Sequence, residues 1–251
     1  MHKVLAIDVG GTHIKVLATG KKTPIKIASG PDATASYMVE QVLAATASWE
    51  YDRISIGYPG PVIRNKPADE PHNLGPGWVD FDYEKAFGKP VRILNDAAMQ
   101  ALGSYEGGRM LFLGLGTGLG TAMILDGTIA SMELAHLPYR KGKTYEEFVG
   151  KDGLKLRGRK KWQRSVHDII ERLRAALLCE YVVLGGGNAK LLEELPEGVL
   201  MGTNANAFAG GFRLWDETPI TGNPKNVIEI GRAHIRQSAA RRHQHAHPRN
   251  T

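Results

Sequence analysis

The feature that most constrains this chain occurs twice: a short apolar strand, a glycine-rich turn with a threonine, and a second strand. The first copy, LAIDVGGTHIK, covers residues 5–15, and the second, LFLGLGTGLGTAMIL, covers residues 111–125. Glycines at a tight turn leave successive backbone N–H groups unobstructed, so such a turn can hold an anion. One copy alone could be an ordinary hairpin turn, but two threonine-bearing copies favour a pair of phosphate-binding hairpins.

Other nucleotide-binding motifs do not fit these glycines. The second copy runs directly into a strand and has Leu119 where a dinucleotide fingerprint needs its third glycine, and that fingerprint must open a helix. Gly142, Lys143 and Thr144 resemble the end of a P-loop, but Leu137 stands where the first glycine of that motif is required. The glycines therefore indicate hairpins, with a loop over residues 114–120 in the second copy, and Asp126 and Gly127 predict a tight hairpin turn after its return strand.

Each copy is followed by further strand and helix units. Five segments have the composition or periodicity of regular structure, namely strands at 54–57, 91–94 and 181–184 and helices at 97–105 and 166–178. A further helix is predicted to begin at Asn188, after three glycines. The pattern predicts an α/β protein with two lobes of related topology, at residues 1–95 and 96–231.

The positive charge of the chain is concentrated at its end. The net charge is +6, but residues 232–251 hold five arginines, four histidines and no acidic residue, so the rest carries only +1. With almost no large apolar side chains, this segment is expected to be a disordered tail. A basic tail can contact nucleic acid, but a solvated appendage is favoured, and no specific nucleic-acid partner is expected.

Composition also bounds the location of the protein. The single cysteine, Cys179, cannot form a disulfide framework or a cysteine-ligated zinc site within one chain. The longest uncharged apolar run, residues 110–125, is broken by glycines and is shorter than the roughly 20 residues of a membrane span. No signal-like apolar stretch precedes Asp8. A soluble cytoplasmic protein without membrane contact is expected.

Acidic residues stand at the ends of predicted strands. Asp8 precedes the first glycine turn, where a carboxylate would repel phosphate, so its expected role is to hold Mg²⁺ through water. Asp96, which follows Asn95, is either a helix N-cap or a base in a cleft. Glu133 and His136 are three residues apart and can point the same way, as sugar-binding groups or as a surface salt bridge, with metal binding by His136 as a further alternative.

Six motifs together resemble a known family. AIDVGGTHIK, GYPGP, LNDA, GLGTGLGTA, ELAH and VLGGG occur in the order found in the ROK family of sugar kinases. The resemblance covers residues 3–215 and implies the α/β, two-lobed, actin/hexokinase-like (ribonuclease H-like) ATPase fold with a cleft between the lobes. It also implies a sugar in that cleft and a phosphoryl donor on the two glycine hairpins. Because members are often dimers, a homodimer is expected.

The resemblance assigns roles to individual residues. Asp96 becomes the catalytic base that accepts the proton of the sugar hydroxyl. The sugar-binding set that it implies is Gly60, Asn95, Asp96, Glu133, His136 and Glu146. The set implied for the donor is Asp8, Gly10, Gly11, Thr12, Lys15, Gly116, Thr117, Gly118, Gly185, Gly186, Lys160 and Lys161, with Asp8 also holding Mg²⁺.

The chain departs from the family after ELAH, where most members carry a cysteine cluster that binds structural zinc. The segment YRKGKTYEEFVGKDGL has no cysteine, so no structural zinc is expected, and Glu146 takes the place of the glutamate that ends the cluster. The loop must then be held by packing of Leu137, Tyr139, Tyr145 and Phe148.

This loop and the following GLKLRGRKKWQRSV resemble the polyphosphate glucokinase branch of the family. The lysines and arginines of residues 151–164 could follow a polyphosphate chain, as basic grooves follow nucleic-acid backbones. Alternatively, they form a solvated helix flank docked by Trp162.

The function that these features favour is a Mg²⁺-dependent glucokinase that transfers a phosphoryl group from polyphosphate, ATP or both to the 6-hydroxyl of glucose. One alternative is a kinase for mannose, fructose or an N-acetylhexosamine such as N-acetylmannosamine. Another is a sugar-binding ROK protein without catalysis. Repressors of the family carry an additional N-terminal helix-turn-helix segment, whereas the first strand is predicted here from Lys3.

Overall fold

The computed structural model describes residues 2–203 and 205–216, and the basic segment 232–251 lies outside the described residues. Most of the described strands belong to two five-stranded sheets, and each sheet has its own hydrophobic core. None of the helices in this part of the chain combines the length and the apolar character that a bilayer crossing requires.

The first sheet contains the first glycine turn. Its strands are β1 (Val4–Val9), β2 (His13–Ala18), β3 (Ile25–Ala28), β4 (Arg53–Tyr58) and, after a small hairpin of β5 (Val62–Ile63) and β6 (Lys66–Pro67), β7 (Val91–Asn95). Their order is β3-β2-β1-β4-β7, with β2 antiparallel and β4 parallel to both of its neighbours. The central strands β1 and β4 are buried almost throughout, as expected when both faces of a sheet are covered.

The second sheet repeats this arrangement. Its strands are β8 (Arg109–Leu115), β9 (Leu119–Leu125), β10 (Thr128–Met132), β11 (Tyr181–Gly185) and β12 (Val199–Met201). Their order is β10-β9-β8-β11-β12, with β9 antiparallel and β11 parallel to both of its neighbours. The two sheets therefore share one topology, which confirms the prediction of two related α/β lobes.

Helices cover these sheets. They are α1 (Ala35–Ala45), α2 (Tyr83–Phe87), α3 (Asp96–Ser104), α4 (Tyr145–Val149), α5 (Lys151–Arg157), α6 (Arg159–Leu177) and α7 (Asn206–Arg213). Alternation along β8 gives the second sheet two apolar faces. Leu111 and Leu113 belong to the same core as Trp162 of α6, whereas Met110 and Phe112 belong to the core that contains α3.

Helices α3 and α7 cross with their backbones in contact. A Cβ atom on Gly103 of α3 would overlap the backbone of Asn206, and one on Gly210 of α7 would overlap the backbone of Met99. Only glycine permits this approach at these two positions. Since α3 contacts strands of both sheets, the crossing lies where the two lobes meet.

Helix α7 also completes the first lobe. The hydroxyl of Ser55 in β4 is buried and donates a hydrogen bond to the carbonyl oxygen of Gly211 at 2.5 Å. A Cβ atom on Gly211 would lie 2.7 Å from the Cβ atom of Ala6 in β1. The last described helix therefore packs directly on the first sheet.

Three local predictions need correction, whereas the tight hairpin turn at Asp126 and Gly127 is present with positive φ at both residues. The second glycine loop is shorter than the predicted residues 114–120. Gly114 still pairs with Gly120 and Leu115 with Leu119, so only residues 116–118 remain unpaired between β8 and β9. Helix α6 begins at Arg159, ahead of residue 166, because Trp162 is buried and anchors its first turns. The helix predicted at Asn188 is only a 3₁₀ turn, Ala189–Leu191.

Candidate active site

The carboxyl ends of three parallel strands meet at one edge of the first sheet. Asp8 of β1 pairs in register with Gly57 of β4, and Tyr58 of β4 pairs with Asn95 of β7. Ligands of open α/β sheets bind outside the carboxyl ends of such strands. Asp8, Asn95 and Asp96 therefore belong to one edge of the sheet although they are distant in sequence.

Asn95 shapes this edge through both ends of its amide. Its Oδ1 atom accepts hydrogen bonds from the N–H groups of Ala97 at 3.0 Å and Ala98 at 3.2 Å, and its Nδ2 atom donates to the carbonyl oxygen of Gly60 at 3.1 Å. Asn95 is thus the N-cap of α3. The alternative role of Asp96 as that N-cap is wrong, because Asp96 is already the first residue of the helix.

Asp96 has an unusual electrostatic environment. Burial first, and then the negative charges of Asp8 and Glu133, raise the pKa of its carboxyl to about 7, against the lowering effect of a hydrogen bond from the Ala97 N–H. A carboxylate whose pKa lies near neutrality is suited to accept a proton in a reaction. The same effect shows that Asp8, Asp96 and Glu133 lie close enough to interact.

Glu133 and His136 lie on an exposed turn after β10. The 3₁₀ turn Leu134–His136 follows Glu133, and the His136 Nε2 and Glu133 Oε2 atoms are 4.0 Å apart, with 72% and 56% of the side chains exposed. Thr121 of β9 fixes the turn, since its hydroxyl donates to the carbonyl oxygen of Met132 and accepts from the N–H of Leu134. Both side chains are open to a ligand.

The first hairpin is the turn of residues 10–12 between β1 and β2. The N–H of Gly10 donates to the carbonyl oxygen of His13 at 3.1 Å, and within the described chain the N–H groups of Gly11 and Thr12 have no acceptor. Beside the turn, the Lys15 Nζ atom is 2.9 Å from the Asp8 Oδ2 atom. The hairpin thus offers two free N–H groups next to an ion pair.

The second hairpin is the turn of residues 116–118 between β8 and β9. The N–H of Gly116 donates to the carbonyl oxygen of Gly118 at 3.1 Å, while those of Thr117 and Gly118 find no acceptor among the described residues. The next N–H, of Leu119, donates to the Glu146 Oε2 atom at 3.1 Å. A Cβ atom on Gly118 would overlap that carboxylate.

The segment after β11 supports the second hairpin. Gly186 has a φ of +81°, and a Cβ atom there would overlap the carbonyl of Leu115. Its neighbour Gly185 ends β11, paired in register with Gly114. The side chain of Asn188 donates to the carbonyl oxygen of Gly116 at 2.9 Å.

The second hairpin lies near Asp96. A Cβ atom on Gly120 of β9 would be 2.9 Å from the Cβ atom of Ala97, the residue that follows Asp96. Asp8, which precedes the first hairpin, acts on the pKa of Asp96 through its charge, so residues next to both hairpins influence the surroundings of Asp96.

The basic helices begin at the second hairpin. The N–H of Lys151, the first residue of α5, donates to the carbonyl oxygen of Thr117 at 3.0 Å. Lys160 and Lys161 lie in the first turn of α6, where they are exposed and pair with no acidic side chain of the described chain. Their contact with a donor remains a prediction.

The loop between the ELAH segment and α4 is held by aromatic side chains. The Tyr139 ring lies 5.4 Å from the ring of Tyr145 and 4.7 Å from that of Phe148, measured between centroids. The Tyr139 hydroxyl donates to the Asp168 Oδ2 atom of α6 at 2.6 Å. The predicted contribution of Leu137 is wrong, because 42% of this residue is exposed.

Sequence reasoning missed three polar residues of this region. Asn188 follows a run of three glycines, and Thr121 follows the second glycine motif, so each had a local signal. Asn73 had no such local signal in the sequence, yet a Cβ atom on Gly11 would lie 3.1 Å from the Asn73 Cβ atom. Asn73 therefore limits the space at the first hairpin.

The surroundings of Asp8 fit a magnesium ion. One carboxylate oxygen faces Lys15, and the other receives no hydrogen bond from the described chain. Magnesium binds through one or two carboxylates together with water and substrate phosphates. Asp8 beside a hairpin with free N–H groups meets that description.

Comparison with known proteins gives a family match over residues 4–132, just over half of the chain, to the profile described as the ROK family. A glucokinase of Pyrobaculum calidifontis is 27% identical over 139 residues, which cover 51% of this chain and 45% of that protein. The chain therefore matches less than half the length of this curated relative.

Solved structures show the same fold. The inorganic polyphosphate/ATP-glucomannokinase from Arthrobacter sp. strain KM superimposes with a TM-score of 0.72 at 20% identity, covering 93% of this chain and 100% of that one. A ROK family glucokinase from Streptomyces griseus, in complex with glucose and AMPPNP, gives 0.68 at 17% identity, covering 84% and 98%. These likenesses and the twin sheets confirm the two-lobed actin/hexokinase-like fold.

Proposed function

This chain belongs to the ROK family, and from that premise we propose that it is a sugar kinase that phosphorylates the 6-hydroxyl of glucose. The observation that carries the proposal is Asp96, whose carboxyl has a pKa raised to about 7, partly by the charge of Asp8 before the first hairpin, and whose neighbour Ala97 packs against Gly120 after the second hairpin. Phosphoryl transfer to an alcohol needs a base at the hydroxyl and N–H-rich surroundings for the transferred group. This region of the molecule offers both.

In the proposed reaction, the sugar oxygen forms a bond to the terminal phosphorus of the donor while the bond to the bridging oxygen breaks. Asp96 takes the proton of the hydroxyl, and the free N–H groups of Gly11, Thr12, Thr117 and Gly118 hold the phosphoryl oxygens. Magnesium, held by Asp8, would offset the negative charge of the phosphates. Lys15 lies beside Asp8 and supplies a further positive charge.

The sugar site that we propose combines Asp96 with Glu133 and His136. Their exposure leaves the carboxylate and the imidazole free for adjacent hydroxyl groups. Gly60 and Asn95 contribute by fixing the loop and the helix start around the sugar, because the amide of Asn95 joins them. Glu146 is the least direct member of this set, because its carboxylate lies on the second hairpin.

For the donor, we propose polyphosphate, ATP or both. The Arthrobacter enzyme that superimposes on this chain is named for both donors. Helix α5 starts on the second hairpin and leads to the unpaired Lys160 and Lys161, so cations extend away from the place where the terminal phosphates would lie. Gly185 and Gly186 support that hairpin and are proposed to adjoin the donor.

Mannose is the second candidate substrate, because the Arthrobacter enzyme is named as a glucomannokinase. We also propose a cytoplasmic protein that has no specific nucleic-acid partner and no membrane contact, and the family resemblance favours a homodimer.

One assay panel tests these proposals. Glucose, mannose and N-acetylmannosamine are each combined with ATP or long-chain polyphosphate, with and without Mg²⁺, and the sugar phosphate is measured. We expect turnover of glucose with Mg²⁺ and at least one donor, and for polyphosphate a steep loss of affinity as salt rises. Absence of turnover with all three sugars and both donors would contradict the kinase proposal.

A further inference from the structure

Glu146 lies at an unexpected place for a sugar-binding residue. It is in the first turn of α4, whose start is fixed by reciprocal hydrogen bonds between Thr144 and Glu147. From there its carboxylate reaches the second hairpin, accepts the N–H of Leu119 and covers Gly118 on the side where a Cβ would be. An acidic group therefore occupies part of the turn that binds the donor in the proposed function.

No cation of the described chain pairs with this carboxylate. The neighbouring Glu147 forms an ion pair with Lys143 at 3.0 Å, and Asp8 at the other hairpin pairs with Lys15. The carboxylate of Glu146 instead accepts a backbone N–H that continues the series begun by the free N–H groups of Thr117 and Gly118. It therefore binds one of three successive N–H groups and leaves the other two free.

We propose that Glu146 is an internal competitor of the phosphoryl donor, which must displace its carboxylate from Leu119 to occupy the second hairpin. Two negative groups a few ångströms apart repel each other, so the carboxylate and a phosphoryl group do not share this turn. The inference rests on the proposed function of the hairpins, and it adds that the second hairpin is closed by the protein's own acid until the donor arrives.

The surrounding structure allows this exchange through side-chain rotation alone. The Tyr139 hydroxyl ties the preceding loop to Asp168 of α6, and Tyr139 packs on Tyr145 and Phe148 of α4, so the backbone that carries Glu146 is held in place. The displaced carboxylate then becomes available to the sugar. Donor and sugar binding are thereby coupled, and each must strengthen the other by the same factor.

The experiment measures binding of inorganic tripolyphosphate to the wild type, Glu146→Gln and Glu147→Gln by calorimetry at low ionic strength without sugar. Glu147→Gln removes the same charge from the adjacent residue and keeps the N-terminal hydrogen-bond pattern, since glutamine serves in that position too. We expect Glu146→Gln to bind roughly tenfold more tightly, within the usual range of such couplings, and Glu147→Gln to bind like the wild type.

A second measurement follows the Leu119 amide by NMR in the wild type. Its resonance should shift on saturation with tripolyphosphate, because its acceptor changes. An unchanged Leu119 resonance, or affinity in Glu146→Gln that is equal to or weaker than in the wild type, would overturn the competitor role. Glu146→Ala repeats the test if the glutamine variant does not fold.

The two proposals fail in different ways. If the wild type phosphorylates a sugar but Glu146→Gln gains no affinity, only the competitor role is wrong. If neither protein binds tripolyphosphate or ATP, the assignment of the hairpins to the donor is wrong as well.

Discussion

The two glycine hairpins have the same topology but different electrostatic surroundings. Each joins the first two strands of its sheet and leaves two successive N–H groups without an acceptor in the described chain. The first has Lys15 and Asp8 beside it, paired across β1 and β2, whereas the second is covered by the carboxylate of Glu146 from α4. The same backbone hairpin therefore has a different charge environment in each lobe, because different side chains lie beside it.

This difference suggests a division of labour in the proposed kinase. A hairpin with a lysine and a metal-binding carboxylate suits the highly charged phosphates of a donor, while a hairpin covered by an acid admits an anion only in exchange. The strands of both hairpins approach Asp96. Variants at the common centre should therefore have the largest effects, and variants at one hairpin smaller ones.

The largest expected effect comes from Asp96→Asn, which removes the proposed base. Without a base, kcat should fall by about 10²–10⁴-fold while glucose binding is retained. Turnover and glucose affinity are measured against Asp152→Asn, an exposed acid of α5. Turnover within about tenfold of the wild type, a difference of only ~1.4 kcal/mol, would contradict the role of Asp96 as base.

The next effect separates the hairpins. In Gly118→Ala the methyl group would take the place of the Glu146 carboxylate and of an incoming phosphoryl group, whereas in Gly11→Ala it would meet Asn73, whose Cβ atom would be 3.1 Å away. Neither glycine has a positive φ, so backbone strain does not enter. We expect kcat/KM for the donor to fall in Gly118→Ala by up to about a hundredfold, the scale of a misplacement of about 1 Å.

Gly11→Ala should lose clearly less, because a shift of a few tenths of an ångström relieves the 3.1 Å contact with the Asn73 Cβ atom. Equal losses of kcat/KM for the donor in the two variants would show that the two hairpins are equivalent, in spite of the different side chains beside them. Thermal unfolding of both variants serves as the control for stability.

A moderate effect concerns pH. Asp96 acts as a base only when ionised, so kcat/KM for the sugar should fall as the pH decreases through about 7, the raised pKa of this carboxyl. Asp8→Asn removes one of the charges that raise this pKa, so the acid limb of the profile should move to lower pH at saturating Mg²⁺. Glu133→Gln should move it less, because the charge of Glu133 contributes less than that of Asp8. A limb that moves to higher pH in either variant would refute this electrostatic link.

The smallest effect concerns the supports of the second hairpin. Tyr139→Phe removes the hydroxyl that donates to Asp168, and loss of one such bond should cost about 1 kcal/mol of unfolding free energy. Tyr37→Phe is the matched control in the first lobe, where the hydroxyl donates to the carbonyl oxygen of Ala28 at an exposed position. For a chain of this size the melting temperature should drop by about 2–4 °C in Tyr139→Phe and by less in the control.

Local patterns in the sequence predicted much of this fold. The strands beside each glycine turn, the hairpin at Asp126 and Gly127 and the helix predicted over residues 97–105, which lies one residue earlier at Asp96–Ser104, depend on residues close in the chain. The contact between Glu146 and Leu119 could not be predicted in this way, because it joins residues 27 positions apart through the packing of α4. The family resemblance identified Glu146 as a site residue but gave no indication of where its carboxylate lies.

The ends of elements were predicted less well for the same reason. Burial of Trp162 extends α6 beyond its apolar periodicity, and the bond from Asn188 to Gly116 accompanies a 3₁₀ turn where a helix was expected. Both outcomes depend on partners that only the folded chain brings together. The proposed roles of the site residues depend on bound ligands in addition.

The return of α7 to the first sheet has a consequence for how the polypeptide is made. Ser55 and Ala6 receive their partner only when Gly211 has been synthesised, so the amino-terminal lobe stays unfinished while most of the second lobe emerges from the ribosome. A fragment that stops at the lobe boundary would expose the surface that α7 covers. The first lobe can therefore complete its packing only after α7 has been synthesised.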